Sequence, residues 1–251
     1  TDTNGNTSTK TATVVIKDET PPNITLAKEN VVVEINSGQT HDDILTMIGA
    51  SVTDNSGETL TLSNNITSVK LDTLGTYPVI FTAEDSNGNK ASKTATVKVQ
   101  DTTNPDLVIT NKEVSIEING GTTEDKLMEL AGITATDNSG IKPTITSNFD
   151  SEVNQTELGT YNVIITAFDL SGNVTTDTVV VTVVDTTAPV ITIVNSEVTI
   201  EINGGTTADD LITLAGITAT DNSNGTVTIT SDFDAVVDQT KLDSYTVTVT
   251  V

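Results

Sequence analysis

Apolar and polar residues alternate along three segments that recur at equal spacing in the chain. The positions that stay apolar in every copy are Ala12, Val14 and Ile16, then Ala95, Val97 and Val99, then Val179, Val181 and Val183. The positions between them vary in character. A period of two with one constant apolar face is typical of a β-strand that buries one face and exposes the other. We therefore predict a strand with the same buried face in each segment.

Other positions recur with the same spacing, which indicates three related repeats. Glu34, Glu117 and Glu201 lie 83 and 84 residues apart, each within an "EIN" motif. A "TDNS" motif and a tyrosine follow the same interval. A unit of this length is large enough for a small domain with its own core. The predicted boundaries are repeat 1 at 18–100, repeat 2 at 101–184 and repeat 3 at 185–251, preceded by residues 1–17, which match the last strand of a repeat.

Several such strands separated by Gly, Asn and Asp turns predict an all-β protein built from antiparallel sandwiches. One short helix interrupts each repeat. In "TTADDLITLAG" we expect Thr207 to cap the helix, Asp209 and Asp210 to interact with its dipole, and Gly216 to end it. Tyr161, in "LGTY", is expected at a corner where its hydroxyl binds backbone.

The motifs "DTTAPVITI", "VTIEINGGTT", "ITATDNS" and "LGTYNVIITAFDLSGN" together resemble the bacterial immunoglobulin-like repeat domains of cell-surface adhesins and stalk proteins. The resemblance covers essentially the whole chain. It implies three tandem Ig-like antiparallel β-sandwiches, each with one short helix, plus an N-terminal orphan strand. It also implies an extracellular, cell-surface location.

Composition narrows the possible functions. The formal net charge is −24 and every basic residue is Lys, so nucleic acid and anionic membranes would repel the chain. There is no Cys, which excludes disulfides and thiol chemistry, and no apolar run approaches the ~20 residues of a membrane span. With one His, His41, and no Trp, the sequence offers no recognisable catalytic arrangement, so we expect a protein that is not an enzyme.

Recurring aspartates are the candidate functional residues. In a seven-strand sandwich, the start of the first strand and two of the loops meet at one pole. The expected groups are Asp18, Asp54 and Asp85, then Asp101, Asp137 and Asp169, then Asp185 and Asp221 with Asp2. Three crowded carboxylates suit Ca²⁺, which takes 6–8 oxygen ligands. Aspartates also cap turns without any metal, and both interpretations are open.

The leading functional hypothesis is structural: a rigid rod of tandem domains that acts as an adhesin stalk or a filament subunit. Its partners would be further copies of itself or adjoining repeats of a longer chain. One alternative is an adhesin module that binds a ligand on a host or neighbouring-cell surface, although aromatic anchors are scarce. Another is a set of accessory domains of a secreted enzyme.

Repeat 3 stops within its penultimate strand, at "LDSYTVTVTV", and residues 1–17 match the piece that follows in the other repeats. Two interpretations are open. The chain is a segment cut from a longer repetitive polypeptide, or Thr11–Lys17 of one molecule completes residues 185–251 of its neighbour. This second arrangement, donor-strand complementation, would build filaments head to tail, with Asp2 joining Asp185 and Asp221.

Overall fold

A computed structural model describes all residues, 1–251, and they fall into two compact units. Unit 1 comprises Thr1–Asn104, Thr136–Lys142 and Asp169–Asn173, and unit 2 comprises Pro105–Ala135, Pro143–Phe168 and Val174–Val251. Unit 1 thus contains residues 1–17 and repeat 1 together with three short segments that belong to repeat 2 in sequence, 101–104, 136–142 and 169–173. Unit 2 contains the rest of repeat 2 and repeat 3.

Repeat 1 contains six strands, one α-helix and one 3₁₀ turn. They are β1 (Asn23–Leu26), β2 (Asn30–Glu34), α1 (His41–Ile48), β3 (Ala50–Thr53), β4 (Ser63–Asn64), the 3₁₀ turn Ile66–Ser68, β5 (Gly75–Glu84) and β6 (Lys90–Gln100). Repeat 2 has the same order: β7 (Asp106–Ile109), β8 (Glu113–Glu117), α2 (Glu124–Ala131), β9 (Ile133–Thr136), β10 (Thr144–Ser147), α3 (Phe149–Glu152), β11 (Gly159–Phe168) and β12 (Val174–Val184).

Each of these two repeats has a two-stranded and a four-stranded sheet. The pairs are β1–β3 and β7–β9, and the four-stranded orders are β2-β6-β5-β4 and β8-β12-β11-β10. The all-β fold with repeated domains is therefore confirmed. The prediction of purely antiparallel sheets needs one correction, because β2 pairs with β6, and β8 with β12, in parallel. Parallel neighbours need a long connection between them, and the helix and strands that intervene supply it.

The predicted buried faces are confirmed in both complete repeats. Val97 of β6 and Val179 and Val181 of β12 are fully buried, whereas Lys98 is exposed and Val180 is only half-buried. Unit 1 has one hydrophobic core and unit 2 has another, and the last strand of each complete repeat contributes three residues to it. Because β6 and β12 each lie between two neighbouring strands, they are central to their sheets.

The predicted helix signals are also confirmed. Repeat 3 forms α4 (Ala208–Leu214), whose N-cap Thr207 makes a reciprocal capping box with Asp210, and Gly216 follows with φ near 60°. Tyr161 donates its hydroxyl to the Asn154 carbonyl at 3.1 Å, as predicted for the corner. A second helical turn, such as α3, was not predicted. It inserts an aromatic side chain, Phe149, fully into the core.

Repeat 3 forms far fewer strand pairs than the other two. Its strands are β13 (Val190–Ile193), β14 (Ile217–Thr220), β15 (Thr230–Ser231) and β16 (Val249–Thr250), with a helical turn α5 (Phe233–Val236). Residues 197–201, the counterpart of β8, form no strand, and Ile202 is 39% exposed where its counterpart Ile118 is 3% exposed. In repeat 2, β8 and β11 both pair with β12. Residues 185–251 do not extend to a counterpart of β12, so the corresponding pairings are not part of this structure.

Residues 1–17 form no strand and have no strand partner in the structure. Val14 and Ile16, the counterparts of buried valines, are 83% and 93% exposed. An extended segment without a neighbour gains no ladder hydrogen bonds and buries no face, so the sequence pattern of a strand is present here without the strand itself. None of the helices in the chain combines the length and the hydrophobicity of a membrane-spanning helix.

Candidate functional site

Six of the nine predicted aspartates converge into two clusters, and both clusters lie in unit 1. Asp18, Asp54 and Asp85 form one, and Asp101, Asp137 and Asp169 form the other. Within each cluster, one carboxylate oxygen from each residue lies within 4.8 Å of the others. The topology of the sandwich therefore brings together, at one pole, aspartates that are far apart in sequence.

The first cluster, at the start of repeat 1, combines a buried carboxylate with two partly buried ones. Asp85 accepts hydrogen bonds from the Asn89 backbone at 2.8 Å and the Asn89 side chain at 2.7 Å. Burial disfavours its charge, but the hydrogen bonds from Asn89 outweigh that effect and hold the pKa of Asp85 below its usual value. Asp18 and Asp54 each cap a turn with Oδ1, and their Oδ2 atoms are buried without a hydrogen-bond partner.

The second cluster, Asp101, Asp137 and Asp169, is more buried. Asp101 and Asp169 are each 8% exposed. Desolvation raises the pKa of Asp101, and the charges of Asp137 and Asp169 raise it further against the hydrogen bond from Ser171. Asp137 caps its turn through Ser139 at 2.9 Å, yet its Oδ2 is buried and unpartnered. The hydrogen bonds within this cluster therefore do not fully offset the burial and mutual repulsion of its carboxylates.

Turn capping accounts for only some of the carboxylate oxygens in these clusters. At least one oxygen of each aspartate accepts a hydrogen bond from a nearby backbone or side-chain donor, as in Asx-turns. The second oxygens of Asp18, Asp54 and Asp137 are left without partners. Buried acceptors in proteins are nearly always satisfied, so the unpartnered oxygens point to a further donor or cation.

The third predicted group, Asp185 and Asp221 with Asp2, does not form a cluster of this kind. Asp2 accepts hydrogen bonds from Asn4 and from the backbone and side chain of Asn6, all within its own loop. Those hydrogen bonds, led by the Asn6 side chain, lower the pKa of Asp2. Asp221 caps a turn through Ser223, and Asp185 is exposed.

A second site, built on the recurring glutamates, was not predicted. Glu34 at the end of β2 accepts from the Thr102 backbone at 2.9 Å and hydroxyl at 2.8 Å, and from the Thr103 hydroxyl at 2.9 Å. It also accepts from the Asn138 side chain at 3.1 Å. Partial burial alone would raise the pKa of Glu34, but these bonds, led by those from Thr102, lower it to about 2. We call this arrangement the Glu34 clamp.

Unit 2 contains the same arrangement, the Glu117 clamp. Glu117 at the end of β8 accepts from the Thr186 hydroxyl at 2.6 Å, the Thr187 hydroxyl at 2.9 Å and the Asn222 side chain at 2.8 Å. The side-chain hydrogen bonds from Thr186 and Asn222 lower the pKa of Glu117 to about 2. Two clamps with equivalent partners show that the "EIN" glutamate holds the "DTT" segment and the "TDNS" asparagine that follow it in the chain.

A pair of asparagines completes each clamp. Asn36 adopts a left-handed conformation, with φ of 49°, and donates its side chain to the Asn138 carbonyl at 2.9 Å. Asn138 donates back to the Ile35 carbonyl at 3.2 Å. Asn119 and Asn222 repeat the exchange, with the first bond at 2.7 Å. The recurrence of these residues was visible in the sequence, but no local signal connects residues that are about a hundred positions apart.

His41, the one histidine, lies outside both sites. It is half-buried at the start of α1, and its Nε2 lies 2.9 Å from the Val69 carbonyl. The His41 ring therefore packs against the segment that follows the 3₁₀ turn.

Known proteins with similar sequences cover most of the chain. Hyalin of Strongylocentrotus purpuratus is 32% identical over 88% of this chain and 19% of its own length. Internalin I of Listeria monocytogenes (strain F2365) is 30% identical over 96% of this chain and 13% of its own. An uncharacterized 81.3 kDa protein of Acholeplasma phage L2 is 35% identical over 62% and 21%. The chain thus spans about a fifth or less of these relatives.

Solved structures are more distant. Human mucin-like protocadherin EC1-2 covers 65% of this chain and 98% of its own with a TM-score of 0.31 and 12% identity, values that support no functional conclusion. A family model described as "Internalin K domain (D3/D4)" matches residues 22–100 and 107–183. These two ranges make up more than half of the chain and contain both complete sandwiches. The chain therefore belongs to the family of Internalin K D3/D4 domains.

Proposed function

We propose that the chain is a structural segment of an extracellular, cell-surface adhesion protein, in which tandem Ig-like repeats form a stiff rod. The observation that carries this proposal is the repeated clamp. Glu34 and Glu117 each hold the segment that leads into the next repeat through several charge-assisted hydrogen bonds, which are stronger than neutral ones. Family membership and the similarity to Internalin I support it. The proposal gives the chain a structural rather than a catalytic role.

Stiffness between repeats 2 and 3, both in unit 2, tests this proposal. The chain has no Cys, so cysteines introduced at exposed Asn162 of β11 and Thr218 of β14 can carry two spin labels. We expect a narrow distance distribution by double electron–electron resonance. Glu117→Ala should broaden it, because the linker loses the acceptor for Thr186 and Thr187.

Glu113→Ala is the matched control, since Glu113 lies on the same strand but outside the clamp. Its distribution should match that of the unsubstituted chain. A broad distribution in the unsubstituted chain, or no broadening by Glu117→Ala, would refute the stiff-rod proposal.

We further propose that the two aspartate clusters bind Ca²⁺. Each offers three converging carboxylates, and the unpartnered buried oxygens of Asp18, Asp54 and Asp137 are acceptors of the type that Ca²⁺ requires. When bound, the ion would neutralise carboxylates that otherwise repel one another. Since Asp101 directly precedes Thr102 and Thr103, a cation there would also support the Glu34 clamp.

Calcium removal should lower stability. At a free Ca²⁺ concentration of a hundred times Kd, the folded state gains about 2.7 kcal/mol, so we expect a clear rise of the thermal midpoint over a chelator-treated sample. Asp137→Asn should reduce the number of bound ions by one in isothermal titration calorimetry. It keeps a side-chain oxygen for the turn at Ser139 and removes only the charge.

Asp221→Asn is the matched control, because Asp221 caps an equivalent turn through Ser223 but belongs to neither cluster. It should leave the number of ions unchanged. Identical thermal midpoints with calcium and with chelator would rule out calcium binding.

A final part of the proposal concerns assembly. Positions that β8 and β11 bury fully in repeat 2 are only partly buried in repeat 3, as at Val198 and Val247, and Thr11–Lys17 carries the residue pattern of β6 and β12. We propose that this segment of one copy pairs with repeat 3 of another, so that copies join head to tail. Strand addition would satisfy backbone groups and cover the open core together.

A further inference from the structure

One backbone N–H group is shared between the Glu34 clamp and the second aspartate cluster. The Thr103 nitrogen lies 3.2 Å from Glu34 Oε1 and 3.3 Å from Asp101 Oδ1, and its N–H donates to both. Both distances exceed the usual value of about 2.9–3.0 Å for such a hydrogen bond, as expected when a single donor serves two acceptors. The carboxylates of Glu34 and Asp101 therefore compete for one hydrogen.

A second connection between the two sites runs through Asn138. Its side-chain N–H groups donate to Glu34 at 3.1 Å, to the Ile35 carbonyl at 3.2 Å and to the Thr103 hydroxyl at 3.2 Å. Asn138 directly follows Asp137 in the chain, and Asp137 Oδ2 and Asn138 Oδ1 are both buried without a hydrogen-bond partner. The clamp therefore holds the turn that carries Asp137 into the cluster.

The order of residues along the chain joins the two sites as well. Thr102 and Thr103 follow Asp101, and Asn138 follows Asp137, so each of these clamp donors lies within two residues of a cluster aspartate. Anything that fixes the aspartates also restricts the donors, and the reverse holds equally. The first cluster, Asp18, Asp54 and Asp85, shares no residue with the Glu34 clamp.

We propose that calcium at the second cluster and the Glu34 clamp stabilise each other, so that calcium regulates how firmly Glu34 holds the segment that leads into repeat 2. This inference rests on the proposed calcium binding. A cation would neutralise much of the charge of Asp101, and the shared Thr103 N–H would then be available to Glu34. Carboxylates that bind a common ion are also held in place, which would position the donors that adjoin them.

This coupling must act in both directions, because linkage requires each event to change the equilibrium of the other by the same factor. Loosening the clamp should therefore weaken calcium binding at the second cluster. Thr102 allows this test, since its hydroxyl donates to Glu34 Oε2 at 2.8 Å and to none of the aspartates. Thr102→Val removes that hydrogen bond and leaves the charge of both sites unchanged.

Isothermal titration calorimetry with Ca²⁺ tests the effect of the clamp on the ion. The titration uses a chain that carries Asp54→Asn, so that the second cluster is the one with three aspartates. Thr102→Val should raise Kd about fivefold, at the lower end of typical coupling between sites. Thr186→Val is the matched control, because it removes the equivalent hydroxyl, 2.6 Å from Glu117 Oε2, from the Glu117 clamp. It should leave Kd unchanged.

Amide hydrogen exchange of the unsubstituted chain measures the effect of the ion on the clamp. The Thr102 N–H donates to Glu34 at 2.9 Å, and saturating calcium should slow its exchange about fivefold, by the same linkage. The Thr186 N–H donates to Glu117 at 3.1 Å and serves as the internal control. Its exchange rate should not respond to calcium.

The outcomes separate this inference from the proposed calcium binding. If calcium binds with the same Kd after Thr102→Val, or leaves exchange at Thr102 unchanged, calcium binding stands and the coupling is refuted. If Thr186→Val weakens binding as much as Thr102→Val, the effect does not pass through the Glu34 clamp, and the coupling is again refuted. If calcium produces neither heat of binding nor a shift of the thermal midpoint, both proposals are refuted.

Discussion

Replacing Val181 by Asp should unfold repeat 2. Val181 is fully buried on β12, where it lies between Tyr161 of β11 and Val114 of β8. An unpaired charge at such a position costs several kcal/mol, a large share of the 5–15 kcal/mol that holds a typical domain together. We expect the dispersed amide signals of repeat 2 to disappear from ¹⁵N correlation spectra, with a large loss of β-sheet circular dichroism.

The neighbouring residue is the control. Val180 faces the other side of the sheet, opposite Asn162 and beside Glu113. Val180→Asp should be tolerated at a cost of about 1 kcal/mol, since it places like charges on adjacent strands. Equal damage at the two positions would show that β12 does not have one buried and one solvated face.

The Glu34 clamp should make the protein sensitive to acid. The pKa of Glu34 is about 2 in the folded state against an ordinary 4.5. Its contribution is therefore fully present above about pH 4.5 and is lost as the pH falls toward 2. The shift sets an upper bound of about 3 kcal/mol, and partial solvation of the carboxylate reduces the expected value to about 1–2 kcal/mol.

Glu34→Gln isolates this contribution from the other carboxylates. The variant should be less stable than the unsubstituted chain at pH 7, and the difference should shrink as the pH approaches 2. Urea denaturation followed by circular dichroism at several pH values measures it. Glu157→Gln should behave like the unsubstituted chain throughout. A stability difference for Glu34→Gln that does not vary between pH 7 and pH 2 would contradict the clamp.

The parts of the structure that depend on local pattern could be predicted from the sequence. Alternation identified the buried face of β6 and β12 because side chains alternate along any strand, and Thr207 identified the start of α4 because a capping hydroxyl is a local requirement. The convergence of Asp101, Asp137 and Asp169 was accessible as well, because sandwich topology brings those loops to one pole.

The clamps could not be predicted in the same way. Glu34 recurs as Glu117, so its importance was visible, but its partners Thr102 and Asn138 become neighbours only when the corner after β2 is folded. The parallel pairing of β2 with β6 could not be predicted from the sequence either. Alternation reports which face of a strand is buried, and it carries no information about the direction of the neighbouring strand.

The central position of β6 and β12 has a consequence for the order in which the protein acquires its structure. β2 and β5 both depend on β6, which is the last strand of its repeat to leave the ribosome. The four-stranded sheet therefore cannot close while the chain is still being synthesised through repeat 1, and its pairings join residues far apart in sequence, which slows folding. Each repeat completes its core only when its final strand arrives, so the array matures one repeat at a time from its N-terminal side.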